Sequence, residues 1–155
     1  MPSFDKPDQV KSTPFGKNQY LHSTRNKQLQ GYTFAHETLP EEDWTDGTGD
    51  VHTEKILQSG EVLAKITSGP NSGKVGVFQT GATDGRATLA NIVGVNDTFA
   101  PWQLSKRDIE VAALYHGVVK QAWCFIRDAN GDRVVMPDNV ADALRGGKGL
   151  DVLCK

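Results

Sequence analysis

Residues 57–94 read LQSGEVLAKITSGPNSGKVGVFQTGATDGRATLANIVG, three short apolar runs set between turn residues. The runs are Glu61-Val-Leu-Ala-Lys-Ile66, Lys74-Val-Gly-Val-Phe78 and Arg86-Ala-Thr-Leu-Ala-Asn-Ile-Val93. Between them lie Ser68-Gly-Pro-Asn-Ser-Gly73 and Gly81-Ala-Thr-Asp-Gly85. Gly and Asn tolerate positive φ and Pro presets φ, so both segments suit turns. Apolar runs this short, interrupted this regularly, predict β-strands and not helices.

The same punctuation continues downstream. Asp108-Ile-Glu-Val-Ala-Ala-Leu-Tyr-His116 predicts a strand with Ile109, Val111, Ala113 and Tyr115 facing inward. Gly117 marks a bend before a second strand, Val118-Val-Lys-Gln-Ala-Trp-Cys-Phe-Ile126, which places Trp123 in the core. Asp128-Ala-Asn-Gly-Asp132 is a hairpin signal of the type I′ kind, with Arg133-Val-Val-Met136 as the return strand. Pro137-Asp-Asn-Val-Ala-Asp-Ala-Leu-Arg145 predicts a helix stopped by Gly146 and Gly147, and Gly149-Leu-Asp-Val-Leu153 a final strand.

Up to Glu54 the chain is polar with scattered aromatics, and the folded domain is expected to begin near residues 51–56. The formal net charge is −2, which gives no global footprint for nucleic acid. Charge is nevertheless segregated: Lys6, Lys11, Lys17, Arg25 and Lys27 make the first thirty residues basic, and every ionised group from Glu37 to Glu54 is acidic. Residues 1–17, with Pro2, Pro7, Pro14 and Gly16, are expected to be disordered when free. Alternation at Tyr20, His22 and Thr24, then Tyr32 and Phe34, suits an extended segment presenting one face to a partner. A turn-rich linker carrying Trp44 follows. The expectation is an α+β, predominantly β chain. It has a flexible N-terminal arm over residues 1–54, then a small β-barrel-like or β-tulip domain over residues 55–155 with one C-terminal helix.

Chemistry has little local support. Gly69-Pro-Asn-Ser-Gly-Lys74 is one residue short of a phosphate-binding loop and is followed by Val75 where the magnesium-binding hydroxyl belongs. Asp128, Asn130 and Asp132 have the opening spacing of a calcium loop, but Arg133 and Asn139 occupy the positions of its Gly and bidentate Glu. Asp46-Gly-Thr-Gly-Asp50 reads as a linker. His22, His36, His52 and His116 form no zinc-type pair with Cys124 or Cys154. Ser59, His116 and Asp97 make a triad only on paper, since no Gly-x-Ser-x-Gly elbow supports it. No catalytic residue, metal site or cofactor is expected. Cys124 reads as a small buried hydrophobe, and neither cysteine demands a disulfide. The N-terminus MPSFDKPDQVKSTPFG lacks a signal peptide's apolar core, which predicts a soluble protein made in the cytoplasm with no membrane partner.

Basic residues beside Trp102 (Lys106, Arg107) and Trp123 (Lys120, Arg127) have the composition of a base-stacking surface. Trp102 is the more informative, because Phe99-Ala-Pro-Trp-Gln-Leu104 puts apolar mass in a loop. An apolar loop on a small domain is a contact surface, and self-association through Phe99 and Trp102 is the expectation.

The order of these features resembles the head decoration proteins of lambda-like bacteriophages. Ser59-Gly-Glu-Val-Leu-Ala64, a Gly-rich loop, Thr83-Asp-Gly-Arg86 and Ile92-Val-Gly94 follow the family's sequence of elements. Glu110-Val-Ala-Ala-Leu-Tyr-His-Gly-Val-Val119, Ala141-Asp-Ala-Leu-Arg145 and Gly149-Leu150 continue it. The resemblance covers residues 56–155. It implies a non-enzymatic virion protein that trimerises on the capsid exterior at three-fold positions of the major capsid lattice. There it would stabilise the expanded shell against the pressure of packaged DNA, without touching nucleic acid itself. It also implies an N-terminal arm that orders on the capsid, here longer than the lambda-type one. Tyr20, Tyr32, Phe34 and Trp44 are the expected anchors, by strand addition, and three arms on one trimer would gain from effective concentration. Deletion to about Thr53 should then leave a folded trimer that no longer binds capsids. A tail or baseplate-associated structural domain and a small-molecule-binding β domain are the alternative readings.

Overall fold

A computed structural model describes residues 18–155. The disorder expected of residues 1–17 lies outside the described residues. The strands are β1 (Leu21–Phe34), β2 (Glu42–Thr45), β3 (Val51–Glu54), β4 (Val62–Lys65), β5 (Val75–Val77), β6 (Ile92–Asn96), β7 (Ile109–Val119), β8 (Phe125–Arg127), β9 (Arg133–Val135) and β10 (Asp151–Cys154). The single α-helix, α1 (Asp138–Gly146), precedes β10. The fold is mostly β with one helix near the C-terminus, as the punctuation of the sequence predicts.

The main sheet runs β1-β5-β4-β6-β7-β10, and β1 also pairs with β7. The β1–β7 ladder is antiparallel from Leu21↔Val119 to Phe34↔Ile109. At its far end Phe34 meets Val75 of β5 in parallel, and this contact closes the sheet into a barrel. On its other side β7 is shared: Ala113 and Leu114 face β6, and the stretch from His116 to Val119 faces β10. Closure leaves few strand edges to water, one way a β fold limits unwanted pairing.

In the middle of this sheet, at β4 and β5, both faces are buried, and strand alternation sorts the side chains between two cores. In β4, Val62 and Ala64 enter one core and Leu63 the other. The first core also holds Tyr20, Leu114, Ile126, Met136 and the apolar stripe of α1, Val140 and Leu144. The second holds Phe34, Leu57, Val75, Val77, Leu104, Val111 and Ala113. Because the two cores meet at β7, Ala113 and Leu114 are both buried, and Tyr115, expected inward, is half-buried with its hydroxyl donating to Gln28 at 2.9 Å.

Gly94 is required where β6 crosses β7: a Cβ there would stand 2.4 Å from the Leu114 carbonyl oxygen. No side chain fits without separating the strands.

The N-terminal arm needs the largest correction. Residues 18–39 are part of the barrel and not a tether outside it. Tyr20 is 1% exposed and Phe34 fully buried. Asn18 is fixed by its side-chain amide, which donates to the carbonyls of Ser59 and Trp123 at 2.8 Å each. The alternation of Tyr20, Tyr32 and Phe34 is that of a strand facing its own core, a pattern that by itself does not say whose core is met. The linker around Trp44 is likewise ordered, as the β2–β3 hairpin.

Four smaller expectations also change. The run from Arg86 to Val93 is a strand only from Ile92, because Arg86 turns inward on Asp84 and Gln79 and a 3-10 turn follows at Leu89–Asn91. Gly117 does not bend the chain, and β7 runs through it to Val119. The second strand begins only at Phe125, after a 3-10 turn at Gln121–Trp123, so Trp123 is 42% exposed under Lys120 and outside the core. The β8–β9 hairpin forms as predicted, but among its loop residues only Gly131 has positive φ, so the turn is not type I′. Asp128 instead accepts the amides of Asn130 and Asp132 at 2.9 and 3.0 Å.

Candidate interaction surfaces

The β2–β3 hairpin stands apart from the main sheet as a two-stranded ribbon. Trp44 and His52 lie opposite each other and stack with ring centroids 4.7 Å apart and planes at 25°. At the tip, Asp46 accepts from the Thr48 hydroxyl at 2.6 Å, from the Thr48 and Asp50 amides, and pairs with His52 at 2.8 Å. The Thr48 hydroxyl and the His52 ring, with the amide donors, hold the Asp46 carboxyl below the usual range despite slight desolvation. The segment read as a loose linker is a cross-linked turn with an acidic tip.

The loop predicted to carry self-association packs against this hairpin's root. Ser105 donates its hydroxyl to Glu54 at 2.6 Å and accepts the Lys55 amide at 2.8 Å. Three residues earlier, Trp102 is 52% exposed, whereas Phe99 is half-buried beside Ala100, whose backbone pairs with Leu57. Trp102 and the hairpin of Trp44 therefore occupy neighbouring parts of one surface. Of the other sequence-named anchors, Tyr20 and Phe34 are buried and Tyr32 is half-buried against the second core.

A carboxylate clip holds the base of this surface. Asp108 pairs with Lys74 at 2.6 Å, with the His36 ring, and with the His36 amide at 2.9 Å. Partial burial pushes the Asp108 carboxyl up, but the bonds from Lys74 and His36 together with the Lys74 charge outweigh it and hold the carboxyl well below the ordinary range. A depressed carboxyl stabilises the fold above its unfolded pKa and loses that contribution as pH falls through the folded value. Stability is expected to start declining as pH drops below about 5 and to go on falling below the ordinary carboxylate range. In Asp108→Asn that decline should be shallower, as read from urea midpoints across the range. An equally steep decline in the variant would assign the acid sensitivity elsewhere.

Lys74, which ends the phosphate-loop look-alike, is thus a structural cation. Gly69-Pro-Asn-Ser-Gly73 is a turn, with the Gly73 amide donating to the Ile66 carbonyl at 2.9 Å. The paper triad is not assembled. His116 engages the Asn26 carbonyl at 2.8 Å and Asp151 at 3.4 Å, while Ser59 donates to the Asp97 carbonyl and Asp97 accepts the Tyr20 hydroxyl. Among the described residues no group of three or more His, Cys, Asp and Glu could hold a metal ion, and no helix is long and apolar enough to cross a membrane.

Sequence reading missed a buried charge network beneath these surfaces. Glu61 is fully buried, accepting from Arg127 Nε at 2.7 Å and from the Gln58 amide at 2.8 Å, with Arg133 Nε at 3.4 Å. Arg133 also makes a two-pronged pair with Glu42 of β2 and donates to the Ile56 carbonyl at 2.9 Å. The network ties the β8–β9 hairpin, the start of β4 and the β2–β3 hairpin together. A signal was present: Arg127 and Arg133 are cross-strand partners in the hairpin, and like charges directly opposite destabilise a ladder unless carboxylates intervene.

Compared with protein-family models, curated protein sequences and solved structures, the chain matches none.

Proposed function

We propose that this protein is a structural virion component that decorates a phage capsid, assembling as a trimer on the exterior of the expanded major capsid lattice and stabilising it. The observation that carries the reading is the order of features from Ser59-Gly-Glu-Val-Leu-Ala64 to Gly149-Leu150 that resembles the head decoration proteins, carried by a mostly β domain with its helix near the C-terminus. The exposed Trp102 beside the Trp44–His52 hairpin supplies a surface suited to contacts between proteins. With Tyr20 and Phe34 committed to the cores, capsid attachment falls to residues 1–17 and the β2–β3 hairpin, and Trp102 is the trimer contact.

A cement acts by linkage: a ligand that binds only the expanded lattice stabilises that lattice. Co-sedimentation of the purified chain with expanded, empty capsids is expected, together with a trimeric solution mass. Trp102→Glu should lower that mass, and removal of residues 1–17 should weaken capsid binding while leaving a folded protein. A monomer that stays in the supernatant with every capsid preparation would reject the reading. A bound small molecule in native mass spectra would favour a ligand-binding β domain.

A further inference from the structure

We propose that the outer edge of β1, residues 28–33, is a self-association site where two copies of this chain pair antiparallel across a two-fold axis. The inference does not depend on the capsid reading.

The barrel closes at one corner only. β5 meets β1 solely at Phe34, so among the described residues no strand pairs with the outer side of β1 from Leu21 to Thr33. In an antiparallel ladder alternate residues turn both N–H and C=O away from their partner, so this edge offers backbone donors and acceptors to a further strand.

Such edges are ordinarily guarded by charge, proline or a bulge. Here Gln28-Leu29-Gln30-Gly31-Tyr32-Thr33 contains neither charge nor proline, its one register shift falls at its start between Gln28 and Leu29, and Leu29 is 38% exposed. The window has a definite end on each side. Before it, the register jumps between Ser23↔Val118 and Gln28↔His116, pushing out a bulge with Arg25, Asn26 at φ 57° and Lys27, all exposed. After it, Phe34 is taken by β5.

Charge and symmetry choose a second copy as the occupant. If the axis passes through Gly31, Leu29 of each copy lies opposite Thr33 of the other, on one face of the joined sheet. Gln30 then faces Tyr32 on the other face. The same register carries the basic bulge of one copy to the acidic end of the other, where Glu37 and Glu110 are both exposed. Arg25 falls opposite Glu37, and Glu110 lies beside the edge through its bond from the Thr33 hydroxyl at 3.0 Å. Parallel pairing would instead set bulge against bulge, with Arg25 and Lys27 repelling their counterparts. Only the antiparallel arrangement joins backbone groups and opposite charges at once.

Sedimentation equilibrium of the full chain across a concentration series tests this. The smallest species, monomer or trimer, should double in mass as concentration rises. Leu29→Lys should weaken the doubling about tenfold or more, with the circular dichroism spectrum unchanged. Lys27→Glu, in the exposed bulge, serves the same purpose should Leu29→Lys fail to fold. Lys27→Glu combined with Glu37→Lys should restore association, an outcome that a merely structural role for either residue would not produce. No concentration-dependent doubling, doubling with undiminished affinity in both single variants, or no rescue in the double variant would each overturn the proposal.

Discussion

Phe34→Ala is expected to cost the fold about 3–5 kcal/mol, the range for truncating a buried phenylalanine. Phe34 is fully buried among the side chains of the second core, and its backbone is the one link from β1 to β5. Removing the ring opens a void in the core and loosens the corner at which the barrel closes. Domains of this size are stable by only about 5–15 kcal/mol, so the variant should unfold at a much lower urea concentration, if it folds at all. The same reasoning reverses the outcome of a longer truncation. Deletion to Thr53 removes β1 and with it the whole outer neighbour of β7, so the product should be unfolded or aggregated. A cooperative melt from that fragment, or a Phe34→Ala midpoint within error of the parent, would show that β1 is dispensable. Either would return it to the role of a docking arm.

Glu61→Ala should be similarly damaging, at about 3–5 kcal/mol, because it strands buried cations. Arg127 is 3% exposed and loses its carboxylate partner at 2.7 Å, keeping only Glu42 at 3.9 Å, and the Gln58 amide loses its acceptor. Arg133 retains Glu42, so the damage should centre on Arg127. This predicts a partial rescue. Arg127→Met in the Glu61→Ala background removes the stranded charge while keeping an apolar side chain, and should recover part of the loss. Urea titrations of the parent, both single variants and the double variant close a double-mutant cycle. A coupling energy near zero would mean that the pair is not an energetic unit.

How much of this was legible beforehand depends on the range of the physics involved. Turn residues and local alternation are short-range signals, so β4, β5, the β8–β9 hairpin, α1 and β10 could be placed from the residues alone. Partner choice is long-range. The alternation in residues 20–34 announced a strand with one apolar face, yet an arm on a foreign surface and a strand on its own barrel share that pattern. Composition misled further, because polar side chains on the exposed face of β1 resemble those of a tether. Trp123 was misplaced for a related reason: its neighbours in sequence, Cys124 and Ile126, are core residues, but the 3-10 turn before them rotates the indole outward. The Glu61–Arg127 pair lies 66 residues apart, and only the hairpin register of Arg127 and Arg133 hinted at it. The exposure of Trp102 is legible in the sequence, because a tryptophan in a Pro-containing loop needs no tertiary information to be placed at the surface.

The β1–β7 ladder has a further consequence, in the order of events during folding. Thr33 and Glu110 touch although they lie 77 positions apart in the chain, and the barrel has no closed form until they meet. Local hairpins such as β8–β9 can form early, but ring closure requires the loss of entropy of a long loop before the ladder offers anything in return. Until then β1 has both edges open, and the more apolar β7 lacks its outer neighbour, so both strands are exposed to wrong pairing. The closing step is therefore expected to be late and slow, and the basic bulge at Arg25 and Lys27 sits where it can discourage premature parallel pairing between unfinished chains.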